Sequence, residues 1–286
     1  MFGGPQQPTH HVPPREATEE LDPRHDNLVS GVGFLRETRM RADQYPPEYL
    51  ETIKVLARRS AEVVVPILLD LVSPKSVVDF GCATGSWLAV FLQSGVVDVL
   101  GIDADWIAKE SLEIPRERFL AFDLEKPVNL EREFDLVIAL EVGEHLSPNC
   151  ADTFVESLTK AGPIVLFSAA IPFQGGPHHV NEQWPAYWID KFAIRGYSVI
   201  DCIRRRVWND QRVAWFYAQN TFLFVRKDVI DKRPFLTRES QRSSELPLSL
   251  VHPSKYSQIA NPSNGTLSTI FWDWINWLKR RGSRRS

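Results

Sequence analysis

A doubly wound α/β domain, its mostly parallel sheet covered by helices on both faces, is the fold this 286-residue sequence predicts. Three observations predict it. Short β-branched runs alternate with segments long enough for crossover helices. Two further strand candidates follow with only a loop between them, which implies an antiparallel pair. A glycine-containing turn after the first run leads straight into a helical stretch, as at ligand-binding βα turns.

Residues 1–27 mix Pro, Gly, His and charge with almost no apolar periodicity, and read as a disordered arm. His10, His11 and His25 lie in it; metal binding there competes with the plainer account of a solvated tail. Residues 28–59 read as a helical extension ahead of a domain at 60–227. From Pro47 to Val72 the spacing of Tyr49, Ile53, Leu56, Ala57, Val64, Ile67, Leu68 and Leu71 predicts helices, with Pro66 a kink or a boundary. Strands are expected at Ser76–Phe80, Val97–Ile102, Phe119–Phe122, Phe134–Leu140 and Pro163–Ala169, then at Tyr197–Ile203 and Thr221–Val225. Residues 228–265 turn polar and read as a linker. In the last segment, 266–286, Leu267, Ile270, Phe271, Trp274, Trp277 and Leu278 form one helical stripe, widened by Trp272 and Ile275. Lys279, Arg280, Arg281, Arg284 and Arg285 follow it. Such a helix docks on its own domain, on a second copy in a homo-oligomer, or on anionic lipid as a peripheral contact at the inner membrane surface.

Composition excludes several classes. Hydrophobic residues at 43% supply a sizeable core, and 33 Lys and Arg against 36 Asp and Glu give no basic field for bulk nucleic acid. Cys82, Cys150 and Cys202 are odd in number and far apart, so neither a disulfide framework nor a zinc ribbon is indicated. With no signal-peptide order at the N-terminus and the longest apolar run, Val63–Val72, broken by Pro66 and Asp70, a cytoplasmic location is expected.

The first strand ends in Asp79-Phe80-Gly81-Cys82-Ala83-Thr84-Gly85, the second in Gly101-Ile102-Asp103 and the third in Phe122-Asp123-Leu124. Ligands of open α/β sheets bind at strand C-terminal ends, so the three turns point at one crevice. A turn glycine and two helix-capping aspartates are the alternative. A carboxylate at such an end suits ribose hydroxyls, yet a dinucleotide site wants GxGxxG, which Gly81–Ser86 does not supply. The runs Val77–Gly85, Val99–Asp103, Phe122-Asp123 and Phe134–Leu146 resemble the ordered motifs of class I S-adenosylmethionine (SAM)-dependent methyltransferases. Gly175–Tyr197 resembles a branch acting on small molecules or sugars. The resemblance spans about residues 60–227 and implies a Rossmann-like, seven-stranded sheet whose last strand runs antiparallel. By position it implies that Asp79, Gly81 and Gly85 shape the loop at the methionine end, that Asp103 binds ribose and that Asp123 binds adenine, with Leu124 and Glu141 beside the cofactor. Ala83 stands where the family's middle glycine is usual.

Methyl transfer from a sulfonium is an in-line displacement that mainly requires donor and acceptor held about 3 to 3.5 Å apart. A weakly acidic acceptor such as a sugar hydroxyl also needs a base. Glu141, Glu144 and His145 stand at i, i+3 and i+4, which share a face on a helical turn. With His178 or His179 from the next loop they can chelate Mg²⁺, Mn²⁺ or Fe²⁺. The ExxEH pattern resembles the metal-binding turn of small-RNA 2′-O-methyltransferases and of ubiquinone-pathway O-methyltransferases; EH at this place also occurs in methyltransferases without metal. Without an ion, His179, His178 or His145 can serve as general base, because a histidine with the ordinary pKa of about 6.5 is largely neutral at pH 7. Asn181, Glu182, Gln183, Trp184, Tyr187 and Trp188 mix polar and aromatic groups as sugar pockets do, and as ordinary cores do. The expectation is an O-methyltransferase acting on a small-molecule or glycan acceptor, of a surface glycan or a natural product. The rivals are an RNA 2′-O-methyltransferase and a non-catalytic SAM-binding partner protein.

Overall fold

The computed structural model describes residues 47–260 except 106 and 108. The arm expected at 1–27, the first part of the extension expected at 28–59 and the amphipathic helix expected at 266–286 lie outside the described residues. Helix α1 (Pro47–Val72) runs unbroken through Pro66 and across residue 60. The helix boundary that Pro66 could have marked is absent, and α1 crosses residue 60 without interruption. Pro66 lies on the solvent face, where the carbonyl it leaves unbonded meets water.

Seven strands follow: β1 (Ser76–Phe80), β2 (Asp98–Asp103), β3 (Phe119–Ala121), β4 (Leu136–Leu140), β5 (Ile164–Ser168), β6 (Tyr197–Ile200) and β7 (Phe222–Arg226). Their order is β3-β2-β1-β4-β5-β7-β6, with β7 antiparallel to both neighbours and the other six strands sharing one direction. Successive residues of one strand face opposite sides. Val77 thus joins a core under α1 and α2 (Ser86–Gln93), while Val78 joins a second core under α3 (Ala151–Ala161) and α4 (Pro185–Ile194). Central strands β1, β4 and β5 are buried at every position, the pattern of a sheet covered twice. The strand order reverses between β1 and β4, which opens a crevice at their C-terminal ends.

Two expectations need correction. The stretch between β6 and β7 is not a plain loop: it holds α5 (Arg204–Val207) and α6 (Trp215–Asn220). The segment read as a linker holds α7 (Lys227–Ile230), α8 (Pro234–Ser244) and α9 (Pro253–Ala260). Helix α8 buries Leu236, Glu239 and Ser243 at i, i+3 and i+7. Two of these are polar but bonded: Glu239 pairs with Arg205, and Ser243 Oγ accepts the Asp201 N–H at 2.8 Å. A stripe whose polar groups are satisfied packs without looking apolar in sequence. Among the described residues no helix is long and apolar enough to cross a membrane.

Candidate active site

The turn after β1 is built on left-handed backbone, with φ of +82° at Gly81, +47° at Ala83 and +83° at Gly85. A Cβ on Gly81 would collide with Val142, so glycine is required there on two counts. Ala83 carries the strain that the usual glycine avoids, roughly 1–2 kcal/mol. In return its N–H donates to Asp103 Oδ2 at 2.7 Å, tying the loop to the end of β2. Glu113 braces the loop from outside: it accepts from Thr84 Oγ1 at 3.2 Å and from Ser86 Oγ, and it pairs with Arg58 of α1.

Asp103 accepts a second N–H, from Ala104, at 2.7 Å on Oδ1. Burial pushes its carboxyl up to about 6, against the pull of the Ala83 and Ala104 N–H groups. Buried Asp79 is pushed well above the usual carboxylate range by desolvation and then by the charge of Asp103. Asp123 behaves differently. Its carboxylate accepts the Glu125 N–H at 3.1 Å and pairs with Lys126 at 3.2 Å, so it caps its own turn. Leu124 packs into the core beneath.

After β4 the expected helical face does not form. Glu141 takes left-handed backbone, φ +56°, and only Gly143–His145 make a 3₁₀ turn. Glu141 consequently leaves the cluster: its carboxylate accepts from Gln174 Nε2 at 2.7 Å and Asn220 Nδ2 at 3.1 Å. Burial raises its pKa, with Asn220, Ser168, Gln174 and then the charge of His179 pulling the other way. Glu144 is fully buried and neither of its carboxylate oxygens has a well-formed hydrogen bond; burial and the neighbouring Glu141 raise its pKa well above the ordinary value.

His145 and His179 meet edge to face, ring centres 4.8 Å apart. Burial and the two neighbouring histidines lower His145 to about 3, too weak a base for the role the sequence offered it. His179 is held at Nδ1 by Glu182 Oε1, 3.0 Å away. Glu182 also accepts the N–H groups of Phe173 and Gly175 at 2.8 and 2.6 Å. Burial opposes it, but these donors hold its carboxyl below the usual range. His178 is exposed, with φ +56°. A Cβ on Gly176 would collide with His179 Nε2, so Gly176→Ala should displace the ring and lower turnover on the order of tenfold while SAM binding stays intact. Steady-state kinetics beside calorimetry check this.

Of the loop residues offered for a sugar pocket, Trp188 is core, packed on Phe167, and Asn181 locks the loop through its N–H to Glu144 O at 3.0 Å. Trp184 alone of the three aromatics is exposed. Three residues the sequence reading missed, Tyr217, Gln219 and Asn220, come from α6, and Gln174 joins them from the loop after β5. Tyr217 stands edge to face on Trp87, 5.3 Å between ring centres; burial raises its phenol, with Glu141, Asp79 and Glu144 adding to the effect.

Solved structures similar to this chain include DesVI of Streptomyces venezuelae, at 16% identity, TM-score 0.47, covering 67% of this chain and 100% of that one. Magnesium protoporphyrin IX methyltransferase of Synechocystis PCC 6803 with bound SAH is 18% identical, TM-score 0.45, over 62% of this chain and 87% of that one. A proposed O-methyltransferase of Nostoc punctiforme is 13% identical, TM-score 0.48, over 63% of this chain and 59% of that one; the chain thus spans under two thirds of that relative's length. No curated protein matches the chain. The methyltransferase-domain family model matches residues 49–201, more than half the sequence. With that match, and with a seven-stranded sheet whose one antiparallel strand is β7, the chain belongs to the methyltransferase-domain family of class I SAM-dependent methyltransferases.

Proposed function

We propose that the chain transfers the methyl group of SAM to a hydroxyl of a small molecule or sugar, with His179 as general base. The observation that carries this reading is the His179–Glu182 pair at 3.0 Å on the loop after β5, beside the crevice. A carboxylate at Nδ1 favours the tautomer whose Nε2 is free to take a proton, and it stabilises the imidazolium that forms.

The crevice suits the donor. Asp79, Asp103, Glu141 and Glu144 stand at or just after the C-terminal ends of β1, β2 and β4, and no lysine or arginine is among the groups that set their charge. SAM supplies the electrophilic methyl and brings cations to those carboxylates. We assign Asp103 to the ribose, through charge-assisted bonds, and Asp79, Gly81 and Gly85 to the wall at the methionine end. Because the free carboxyl of Asp103 titrates at about 6 and its charged form binds ribose better, affinity should rise with pH through that value. Calorimetry at pH 5 should find SAM bound about tenfold more weakly than at pH 7.5. A flat profile would remove Asp103 from the ribose site.

The reading as a whole is tested by turnover against a panel of hydroxyl and amine acceptors, followed by mass spectrometry of the products. Methylation confined to nitrogen sinks it.

A second reading is favoured by one cluster. The ligand atoms of Glu144, His145 and His179 lie within 4.8 Å of one another, and the Glu144 oxygens and His145 Nδ1 are buried without hydrogen-bond partners. These residues fit a divalent ion; one carboxylate and two neutral imidazoles suit Mn²⁺ or Fe²⁺ better than Mg²⁺. When bound, such an ion lowers the pKa of a coordinated hydroxyl. Glu141 falls outside the cluster because its oxygens are committed to Gln174 and Asn220. Exhaustive chelation should abolish turnover on this reading, with Mn²⁺ or Fe²⁺ restoring it; full activity after chelation leaves His179 acting alone.

A further inference from the structure

The Glu141 carboxylate stands just past the C-terminal end of β4, the strand next to β1 where the strand order reverses. Two amide side chains converge on it, and a third braces them. Gln174 Nε2 reaches Oε2 at 2.7 Å, and Asn220 Nδ2 reaches Oε1 at 3.1 Å. The amides also bind each other: Gln174 Oε1 accepts from Asn220 Nδ2 at 2.8 Å and from Gln219 Nε2 at 3.3 Å, and Gln219 Nε2 donates to Asn220 Oδ1 at 2.9 Å. Behind them, Gln219 Oε1 accepts the His252 N–H at 2.7 Å. All three amides are at least nine-tenths buried, and they come from two separate elements.

Such a network is a poor way to build a core. Each amide gives up rotamer freedom and water, and apolar residues of the same size would pack the space without those costs. What the amides do accomplish is to give both Glu141 oxygens a donor while leaving the carboxylate its charge. Among the groups acting on the carboxylate so held there is no lysine or arginine, and His179 alone can carry a positive charge, so it has no permanently cationic partner. The family's methyl donor carries two cationic groups, an ammonium and a sulfonium.

We propose that Gln174, Gln219 and Asn220 are positioning residues that hold the Glu141 carboxylate at the crevice as the seat for the cationic end of SAM. The inference rests on the family's cofactor but not on the identity of the acceptor. It makes the region beyond residue 201, where the family match ends, a working part of the donor site: Gln219 and Asn220 come from α6, and the His252 segment backs them.

The test compares SAM with 5′-methylthioadenosine, which keeps the nucleoside and a neutral thioether but carries neither ammonium nor sulfonium. Binding of both is measured by calorimetry to wild type, Asn220→Leu, Gln174→Met and the isosteric Glu141→Gln, each checked for folding by thermal melting. SAM affinity should fall about tenfold or more in each, the loss expected on removing a charge-assisted partner. Methylthioadenosine affinity should stay within twofold, and Gln174→Asn, which keeps an amide, should recover part of the loss. S-adenosylhomocysteine locates the seat: a parallel loss assigns it to the ammonium, and no loss assigns it to the sulfonium. Equal weakening of SAM and methylthioadenosine, or unchanged SAM affinity in folded Glu141→Gln, overturns the proposal. If the amide variants do not fold, Glu141→Gln decides alone. Should wild type bind methylthioadenosine and SAM equally, the seat fails while the nucleoside site stands; should it bind neither, the cofactor reading itself fails.

Discussion

Replacing His179 with alanine should lower kcat on a hydroxyl acceptor by about 10²- to 10⁴-fold, the range that a positioned general base supplies, and leave SAM affinity unchanged. The imidazole is fixed on one side by Glu182 and on the other by the His145 ring, so it is held in one orientation. Its hydrogen bond and ring contact run to Glu182 and His145, not to Asp79, Asp103, Glu141 or the glycine turn, which is why donor binding should not respond. Glu182→Gln should cost less than the full effect, since glutamine keeps an acceptor for the Phe173 or Gly175 N–H but cannot stabilise an imidazolium. The measurement is kcat on the best acceptor of the panel beside a calorimetric Kd for SAM. Retention of kcat within threefold in His179→Ala would exclude both the base and the ligand role of this residue. A loss that appears in Kd as well would mean that the loop after β5 helps to form the donor site.

The parts of this architecture that a sequence can show are those where burial and apolarity coincide. Strand β1 lies where Ser76–Phe80 predicts it, and β4 and β5 lie inside their expected runs, because each is a short apolar run buried on both faces. Strand β3 stops at Ala121, short of Phe122, because its pairing with β2 ends where Asp103 meets Ala121. What stayed hidden is buried polarity. Helices α5, α6 and α8 place Arg204, Gln219, Asn220, Glu239 and Ser243 inside, and hydropathy reads such residues as surface. The site divides in the same way. That Asp79 and Asp103 stand at strand ends is legible, whereas nothing in the sequence signals that Glu141 takes positive φ and turns out of the ExxEH face toward Gln174 and Asn220.

Buried polarity also makes the largest stability prediction. Arg204 is 2% exposed, and its guanidinium is bonded on every side. It forks onto Asp201 at 3.0 and 2.6 Å, donates to the carbonyls of Gln219 and Leu248 at 3.2 and 2.8 Å, and lies 4.1 Å from the centre of the Phe222 ring. It therefore joins four pieces of chain: the end of β6, α6, β7 and the segment before α9. Arg204→Ala leaves Asp201 buried and unpaired and strands two carbonyls, a loss of about 3–5 kcal/mol. For a domain of this size that corresponds to a fall in Tm of roughly 6–20 °C. Asp201→Asn should cost less, because the amide still accepts one guanidinium bond. The Arg204–Asp201 pairing has a sharper consequence. In Asp201→Leu combined with Arg204→Met neither charge remains to be stranded, so the double variant should melt well above Arg204→Ala although it carries one more substitution. Thermal unfolding of the four proteins decides it. A double variant that melts below the single one would show that the carbonyls of Gln219 and Leu248, and not Asp201, are what Arg204 is there to satisfy.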